Sequence, residues 1–353
     1  MVLKLYIQER ILHLFDLTHR SSKATLEGLM AFRRPVQHYL QGDLNCSLIH
    51  LRQYGSKIDW NKLRPMILKR IRDRAKDYPV MRMIPIAQDV LKSREMLAEG
   101  ISTLLKFIPV KSCKFCPEVY VGETGHQIKT CHGFKRIIKD RPHCWTEAKL
   151  NDILTPVESF HIKDMHQSII KHDQRFDFRR VPAIVELCYQ AGVEISDEVL
   201  YNCSPESPCS QGNTEKADVS SDEDIKLVAQ VTLDAWERLR LGLQKLLLVY
   251  PVKVCEHCSE VHVGPSGHKA RHCGVFKYES WRGSHMWKKA EVDDLAPPKM
   301  VWHRRPQDPP VLVNSGRGYY GHAPAVVELC MQAGARVPTK YFCMMKVHGL
   351  TAT

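Results

Sequence analysis

Two stretches of this chain carry metal-type residues at one spacing, Cys113-x2-Cys116-x9-His126-x4-Cys131 and Cys255-x2-Cys258-x9-His268-x4-Cys273. Three thiols and one imidazole so spaced let a chain fold back around one tetrahedral zinc ion of the Cys3His type. Four protein donors close such a site. The chemistry expected is therefore structural, with no open position for an activated water. Two further imidazoles, His143 and His285, recur at the same offset and could replace one assigned ligand, whereas His132 and His272 do not align with each other.

Catalytic alternatives find little support in the residues. A zinc nucleobase deaminase needs His-x-Glu upstream of Pro-Cys-x-x-Cys, and neither Cys113 nor Cys255 follows a proline. No Walker loop, nucleophile elbow or dinucleotide fingerprint is present. Matched carboxylates, Glu118 with Glu260, Asp152 with Asp294 and Glu186 with Glu328, could in principle serve a hydrolase. The last pair sits among helix residues and reads as surface or capping. A non-catalytic protein is expected.

The elements around these residues are duplicated. Cys113 to Gly192 aligns with Cys255 to Gly334 without a gap at an offset of 142, with 27 identities in 80 residues. Val121-Gly122 with Gly125-His126, repeated as Val263-Gly264 with Gly267-His268, reads as a short strand, a glycine turn and the imidazole. His143-x-Trp145 recurs as His285-x-Trp287, and His161 is matched by His303. Pro182-Ala183-x-Val185-Glu186-Leu187-Cys188-x-Gln190-Ala191-Gly192 recurs as Pro324 to Gly334. Its leading proline and trailing glycine bracket a helix of about three turns. Ahead of each knuckle, apolar stripes (Val90, Leu97, Ile101, Leu104; Leu233, Trp236, Leu239, Leu243) predict a long core helix.

At 353 residues the chain can hold two domains. Mean hydropathy of −0.31 and the lack of a long apolar run argue against a membrane span. A formal charge of +12 favours polyanionic partners. The thirteen cysteines include four repeat-matched pairs and fit metal binding in a reducing compartment better than disulfides. The unmatched Cys46, Cys144, Cys203, Cys209 and Cys343 read as free thiols.

In chain order, residues 1–52 form an N-terminal extension with seven Lys or Arg and four acids, compatible with an organelle transit peptide. Residues 53–85 are a basic helical segment opening near Pro65. Arg64, Lys69, Arg70, Arg72 and Arg74 could pair with phosphates there. Residues 86–202 and 225–343 hold the two copies. Residues 203–224, acidic and rich in Ser, read as a flexible linker, and 344–353 as a tail. Around the knuckles, Lys129, Lys135, Arg136, Lys269, Arg271, Lys277, Lys288 and Lys289 are candidate phosphate contacts. Trp145, Trp287, Phe134 and Phe276 read as small-domain core. The class expected is α+β, two homologous helix-rich zinc modules on a tether.

This duplicated set resembles the APO family of plant organelle proteins, named for accumulation of photosystem one. The similarity runs from about Tyr54 to Phe342 and includes Leu63-Arg64-Pro65-Met66-Ile67-Leu68-Lys69-Arg70-Ile71 and Tyr78-Pro79-Val80. The resemblance implies two zinc-binding APO domains, RNA binding, and promotion of group II intron splicing alongside other organellar splicing factors. The short extension looks like a mitochondrial-type member, with the chloroplast as the alternative compartment. The family pattern points to Cys113, Cys116, His126 and Cys131, then Cys255, Cys258, His268 and Cys273, as ligands of two structural zinc ions. Other functional classes are a zinc-dependent nuclease or RNA-modifying enzyme, and a protein-interaction adaptor.

Overall fold

The structure, a computed structural model, describes residues 60–133, 141–166, 169–196, 221–271, 273 and 284–347. The N-terminal extension, linker residues 203–220, Phe134, Lys135, Arg136, Phe276, Lys277 and the Arg72 side chain lie outside the described residues, as do Cys46, Cys203 and Cys209. The chain divides into one unit of residues 1–67 and another of 68–353, and the second holds both repeats.

Helix α1 spans Trp60–Ala75, so Pro65 lies inside the helix and does not open it. At the sixth helical position the proline forfeits the one bond that its N–H would have donated to the carbonyl four residues back. Arg64, Lys69, Arg70 and Arg74 are exposed along it.

Helix α2, Ile84–Leu104, leads into a three-stranded antiparallel sheet of β1 (Val110–Cys113), β2 (Val119–Val121) and β3 (Trp145–Glu147), with β1 central. A turn of helix α3 (Leu150–Ile153), the hairpin partners β4 (Glu158–Phe160) and β5 (Arg180–Pro182), and helix α4 (Ala183–Gln190) complete the copy. Helix α5 (Asp222–Val249), β6 (Val252–Cys255), β7 (Val261–Val263), β8 (Trp287–Lys289), α6 (Val292–Leu295), β9 (Met300–His303), β10 (Gly321–Pro324) and α7 (Ala325–Gln332) repeat the plan. A final turn, α8 (Phe342–Met345), buries Met345. The α+β class holds. Among the described residues no helix is long and apolar enough to cross a membrane.

Three expectations change in detail. The helices after Pro182 and Pro324 have eight residues, nearer two turns than three, and Gly192 at φ +93° and Gly334 at φ +90° stop them in the left-handed conformation that glycine adopts most readily. Asp222, Glu223 and Asp224 are the first turn of α5. The Asp224 N–H donates to Ser221 Oγ at 3.2 Å and Ser221 N–H to the Asp224 carboxylate at 3.3 Å, a reciprocal cap that suits acids at a helix start. Glu186 and Glu328 are neither surface nor caps; both are fully buried.

Those two carboxylates explain the matched helix motif. His161 Nδ1 lies 2.7 Å from Glu186 Oε2, and Ile162 N–H and Gln190 Nε2 donate to Oε1 at 3.2 and 2.9 Å. In the second copy His303 Nδ1 is 2.8 Å from Glu328 Oε2, with Gln332 Nε2 donating at 2.8 Å. A buried carboxylate persists only when so many donors face it. Glu328→Leu should therefore strand the His303 and Gln332 donors and cost roughly 2–3 kcal/mol in chemical denaturation. Glu328→Gln, keeping an acceptor, should cost less.

The copies are not two beads on a string. Helices α2 and α5 pack side by side, and one apolar core takes residues from both copies: Val90, Leu97, Ile101 and Leu187 of the first, Leu233, Trp236, Leu243 and Leu329 of the second. The offset of 142 extends back through both helices, burying Ala87 with Ala229, Leu97 with Leu239, and Leu104 with Leu246. The ends are exchanged. Strand β2 of the first knuckle packs on β9 and α7 of the second copy, while β7 packs on β4 and α4 of the first. A small cluster accordingly joins Tyr120 and Ile128 to Trp302, Leu312 and Tyr320.

Candidate metal centres

Each knuckle starts from the end of its central strand. Cys113 closes β1 and Cys255 closes β6, directly opposite Trp145 and Trp287 on the neighbouring strand. This register carries the residue two before each tryptophan to the thiols. Cys113, Cys116, Cys131 and His143 offer donor atoms all within 4.8 Å of one another, and so do Cys255, Cys258, Cys273 and His285.

The expected imidazole is therefore displaced. The three thiols of each copy assemble as read from the sequence, but the nitrogen that joins them belongs to His143 or His285, not to His126 or His268. His143 Nδ1 lies 3.4 Å from Cys116 Sγ, and His285 Nδ1 lies 3.4 Å from Cys258 Sγ. His126 is used elsewhere. Its Nδ1 accepts the Ile128 N–H at 3.1 Å and its Nε2 faces Glu118 Oε1 at 2.9 Å.

The donor set fits zinc. Tetrahedral Zn–S and Zn–N bonds of about 2.3 and 2.0 Å give edges of about 3.8 Å between sulfurs and 3.5 Å from sulfur to nitrogen. Cys113 and Cys131 sulfurs are 3.9 Å apart, and Cys255 and Cys273 sulfurs 3.3 Å. Burial pushes the Cys113 thiol up, yet the backbone of Phe115, Cys116 and Cys144 and the Cys116 thiol together outweigh it and leave the thiol below its ordinary value. Partial desolvation and the neighbouring Cys113 push the half-buried Cys116 thiol up to about 12. Three sulfurs gathered this closely can all ionise only around a cation at their centre. Glu118, His126 and His143 also lie within 4.8 Å, but they share His143 with the thiol set and are hydrogen-bonded among themselves.

Glu118 was visible in the sequence only as a matched acid; here it holds both imidazoles. Its second oxygen is 3.2 Å from His143 Nε2 and accepts Thr130 Oγ1–H at 2.8 Å. Burial raises its carboxyl, but the His126 contact and charge, with the Trp302 indole, bring it down to about 2. Glu260 stands likewise between His268 at 3.6 Å and His285 at 3.5 Å, also at about 2. A carboxylate behind a ligating imidazole fixes its tautomer and orientation.

Each of these carboxylates takes a donor from the opposite copy. Trp302 Nε1–H donates to Glu118 at 2.8 Å, and Arg180 donates to Glu260 at 2.5 Å. Trp302→Phe removes the first without emptying the volume. Zinc retention at the first knuckle under chelator competition should then fall roughly tenfold, a typical cost of losing an outer-shell partner.

The matched tryptophans are neither free stacking platforms nor deep core. Trp145 donates its indole N–H to His126 O at 3.2 Å and lies 4.8 Å from the His143 ring; Trp287 does the same at 3.1 and 5.0 Å. A side chain at Gly125, where φ is +70°, or at Gly267 would collide with these indoles, which accounts for the second glycine of each turn. Of the candidate cations, Lys129, Lys269, Arg271, Lys288 and Lys289 are exposed around the knuckles.

The comparisons with known proteins agree with this duplication. The chain is 40% identical over 301 residues to APO protein 1, chloroplastic, of Arabidopsis thaliana, covering 76% of this chain and 69% of that protein. It is 39% identical over 296 residues to APO protein 2, chloroplastic, and 34% identical over 294 residues to APO protein 3, mitochondrial, from the same plant, covering 67% and 73% of them. These names span both compartments and do not single out the mitochondrion. No solved structure matches. The family model described as APO RNA-binding matches residues 46–200 and 219–348, one region per copy, and the chain belongs to that family.

Proposed function

We propose that this chain is a non-catalytic RNA-binding protein of a plant organelle, and that it promotes the splicing of group II introns by holding structured intron RNA. The observation that carries the reading is the pair of closed four-donor clusters, each framed by exposed cations, in a chain of the APO RNA-binding family. Zinc, when bound, supplies charge neutralisation of three thiolates and a rigid cross-link for a loop with little core of its own. Cys113, Cys116, Cys131 and His143 would hold one ion, and Cys255, Cys258, Cys273 and His285 the other. The lysines and arginines then neutralise phosphates on a surface whose shape the knuckles fix.

Titration of the purified protein with labelled group II intron RNA tests this. Affinity should fall linearly on a log–log plot with salt, by about 0.7 to 0.9 in slope for each phosphate contacted, and should collapse on treatment with a zinc chelator. Binding insensitive to both would remove the reading, and cleavage of the RNA would put an enzyme in its place. Import into isolated chloroplasts and mitochondria decides the compartment.

A further inference from the structure

The pseudo-symmetry that exchanges the ends of the copies builds two equivalent seams. At the first knuckle Gln127 forms a parallel β-bridge with Val313 of the second copy; at the second, Lys269 forms the same bridge with Lys171 of the first. The backbones match. Gln127 N–H donates to Leu312 O at 2.8 Å, and Lys269 N–H donates to Ile170 O at 2.8 Å. Two residues on, Lys129 N–H donates to Asn314 Oδ1 at 3.4 Å and Arg271 N–H to His172 Nδ1 at 2.8 Å.

The charges do not match. Residues opposed across a β-bridge place their side chains on one face, so Lys171 and Lys269 stand side by side where the first seam has Val313 and Gln127. Both lysines and Arg271 are exposed. Among the described residues no carboxylate forms an ion pair with any of the three, not even Asp173, two positions from Lys171. Opposed like charges repel, so their juxtaposition works against folding unless an anion spans them.

The adjoining sheets differ in the same direction. Lys111 on β1 stands opposite Glu147 on β3 and pairs with it. At the second knuckle Lys253 stands opposite Lys289, with Lys288 exposed next to it. Nothing in the shared scaffold requires this asymmetry, since the first copy builds the same bridge from Gln127 and Val313, with Lys129 its one cation where the second seam has three.

We propose that the seam at the second knuckle, Lys171 with Lys269 and Arg271, is where the RNA backbone docks, and that the first seam is not. The inference rests on the RNA-binding reading and sharpens it, because the site is assembled from both copies. An extended polyanion suits this seam better than a small ion: consecutive phosphates can neutralise adjacent cations together and release their counterions.

The test compares full-length, zinc-loaded wild type with two variants in binding labelled group II intron RNA across a salt series. Lys171→Gln/Lys269→Gln should weaken binding roughly tenfold at moderate salt and lower the log–log slope by about 1.4, as for two single-strand phosphate contacts. Lys92→Gln/Lys106→Gln, which removes equal charge from other exposed positions, should change affinity no more than about twofold. Equal losses in both variants, or no loss in the seam variant while wild type binds in a steeply salt-dependent way, would overturn the seam and leave RNA binding intact. If wild type itself ignores RNA at low salt, the functional reading fails and the seam with it. Because all four lysines are exposed, zinc content should be unchanged in both variants, and with the Lys171–Lys269 repulsion relieved the seam variant should unfold no lower than wild type.

Discussion

His143→Ala should remove one of the two zinc ions, whereas His126→Ala should leave both in place. The two imidazoles sit within one ring contact of each other, at 4.9 Å between centroids, so sequence distance cannot rank them. Their nitrogens can. The Nδ1 of His126 accepts a backbone N–H, which leaves Nε2 to carry the proton toward Glu118; both atoms are satisfied by protein. The Nδ1 of His143 points among the sulfurs, and its Nε2 is backed by Glu118 and by Thr130 Oγ1 at 2.8 Å. That is the arrangement of a metal ligand with its outer-shell carboxylate.

Losing His143 should release most of the folding energy tied to the first knuckle, several kcal/mol out of a metal-linked total of roughly 10 or more. His126→Ala is also costly, about 2 kcal/mol, because it leaves the half-buried Glu118 short of a donor. Stability alone therefore cannot distinguish the variants. Metal stoichiometry can, read by elemental analysis after gel filtration in the presence of a weak chelator. Retention of both ions in His143→Ala with loss of one in His126→Ala would reverse the assignment. In the second copy the same contrast should hold on donor geometry alone, since His285 Nδ1 lies 3.4 Å from Cys258 Sγ while His268, with no hydrogen bond to either nitrogen among the described residues, stands 3.6 Å from Glu260.

The difficulty of choosing that ligand from sequence has a physical source. Cys-x2-Cys fixes two donors on one turn, and the matched downstream cysteine supplies a third, so three of four positions follow from spacing. The fourth depends on strand pairing. Cys113 opposite Trp145 brings His143 home, and only the matched His-x-Trp pairs hinted at this. Glu186 had a clearer signal: an acid inside Ala-Ile-Val-Glu-Leu-Cys, otherwise wholly apolar, that recurs as Glu328 at the same offset by which His161 recurs as His303. The exchange of ends has no local signal. An offset of 142 is the same whether each copy closes on itself or on its neighbour, and contacts such as Trp302 with Glu118 span 184 positions. The core helices, with their apolar stripes at helical spacing, were predictable because their pattern does not depend on the partner.

Gly242→Leu should be the most disruptive single change outside the knuckles. A Cβ at Gly242 would sit 2.3 Å from Val90 Cγ2, and one at Gly100, the matched position in the other copy, 2.0 Å from Thr232 Oγ1. Val90 and Thr232 are themselves 142 apart, so α2 and α5 cross through two symmetric glycine notches. Helix interiors normally disfavour glycine by about 1 kcal/mol against alanine, so even alanine would gain propensity here. Its methyl group would nevertheless meet a buried β-branched side chain with few alternative rotamers. Leucine adds three more carbons to a closed interface and should part the helices, at about 3 kcal/mol or more. Because one core serves both copies, the damage should not stay in one half. Thermal unfolding should move down as a single cooperative transition, with zinc retention weakened at both knuckles. Two separate transitions, one of them at the wild-type temperature, would mean that the copies fold independently and that the shared core does not govern stability.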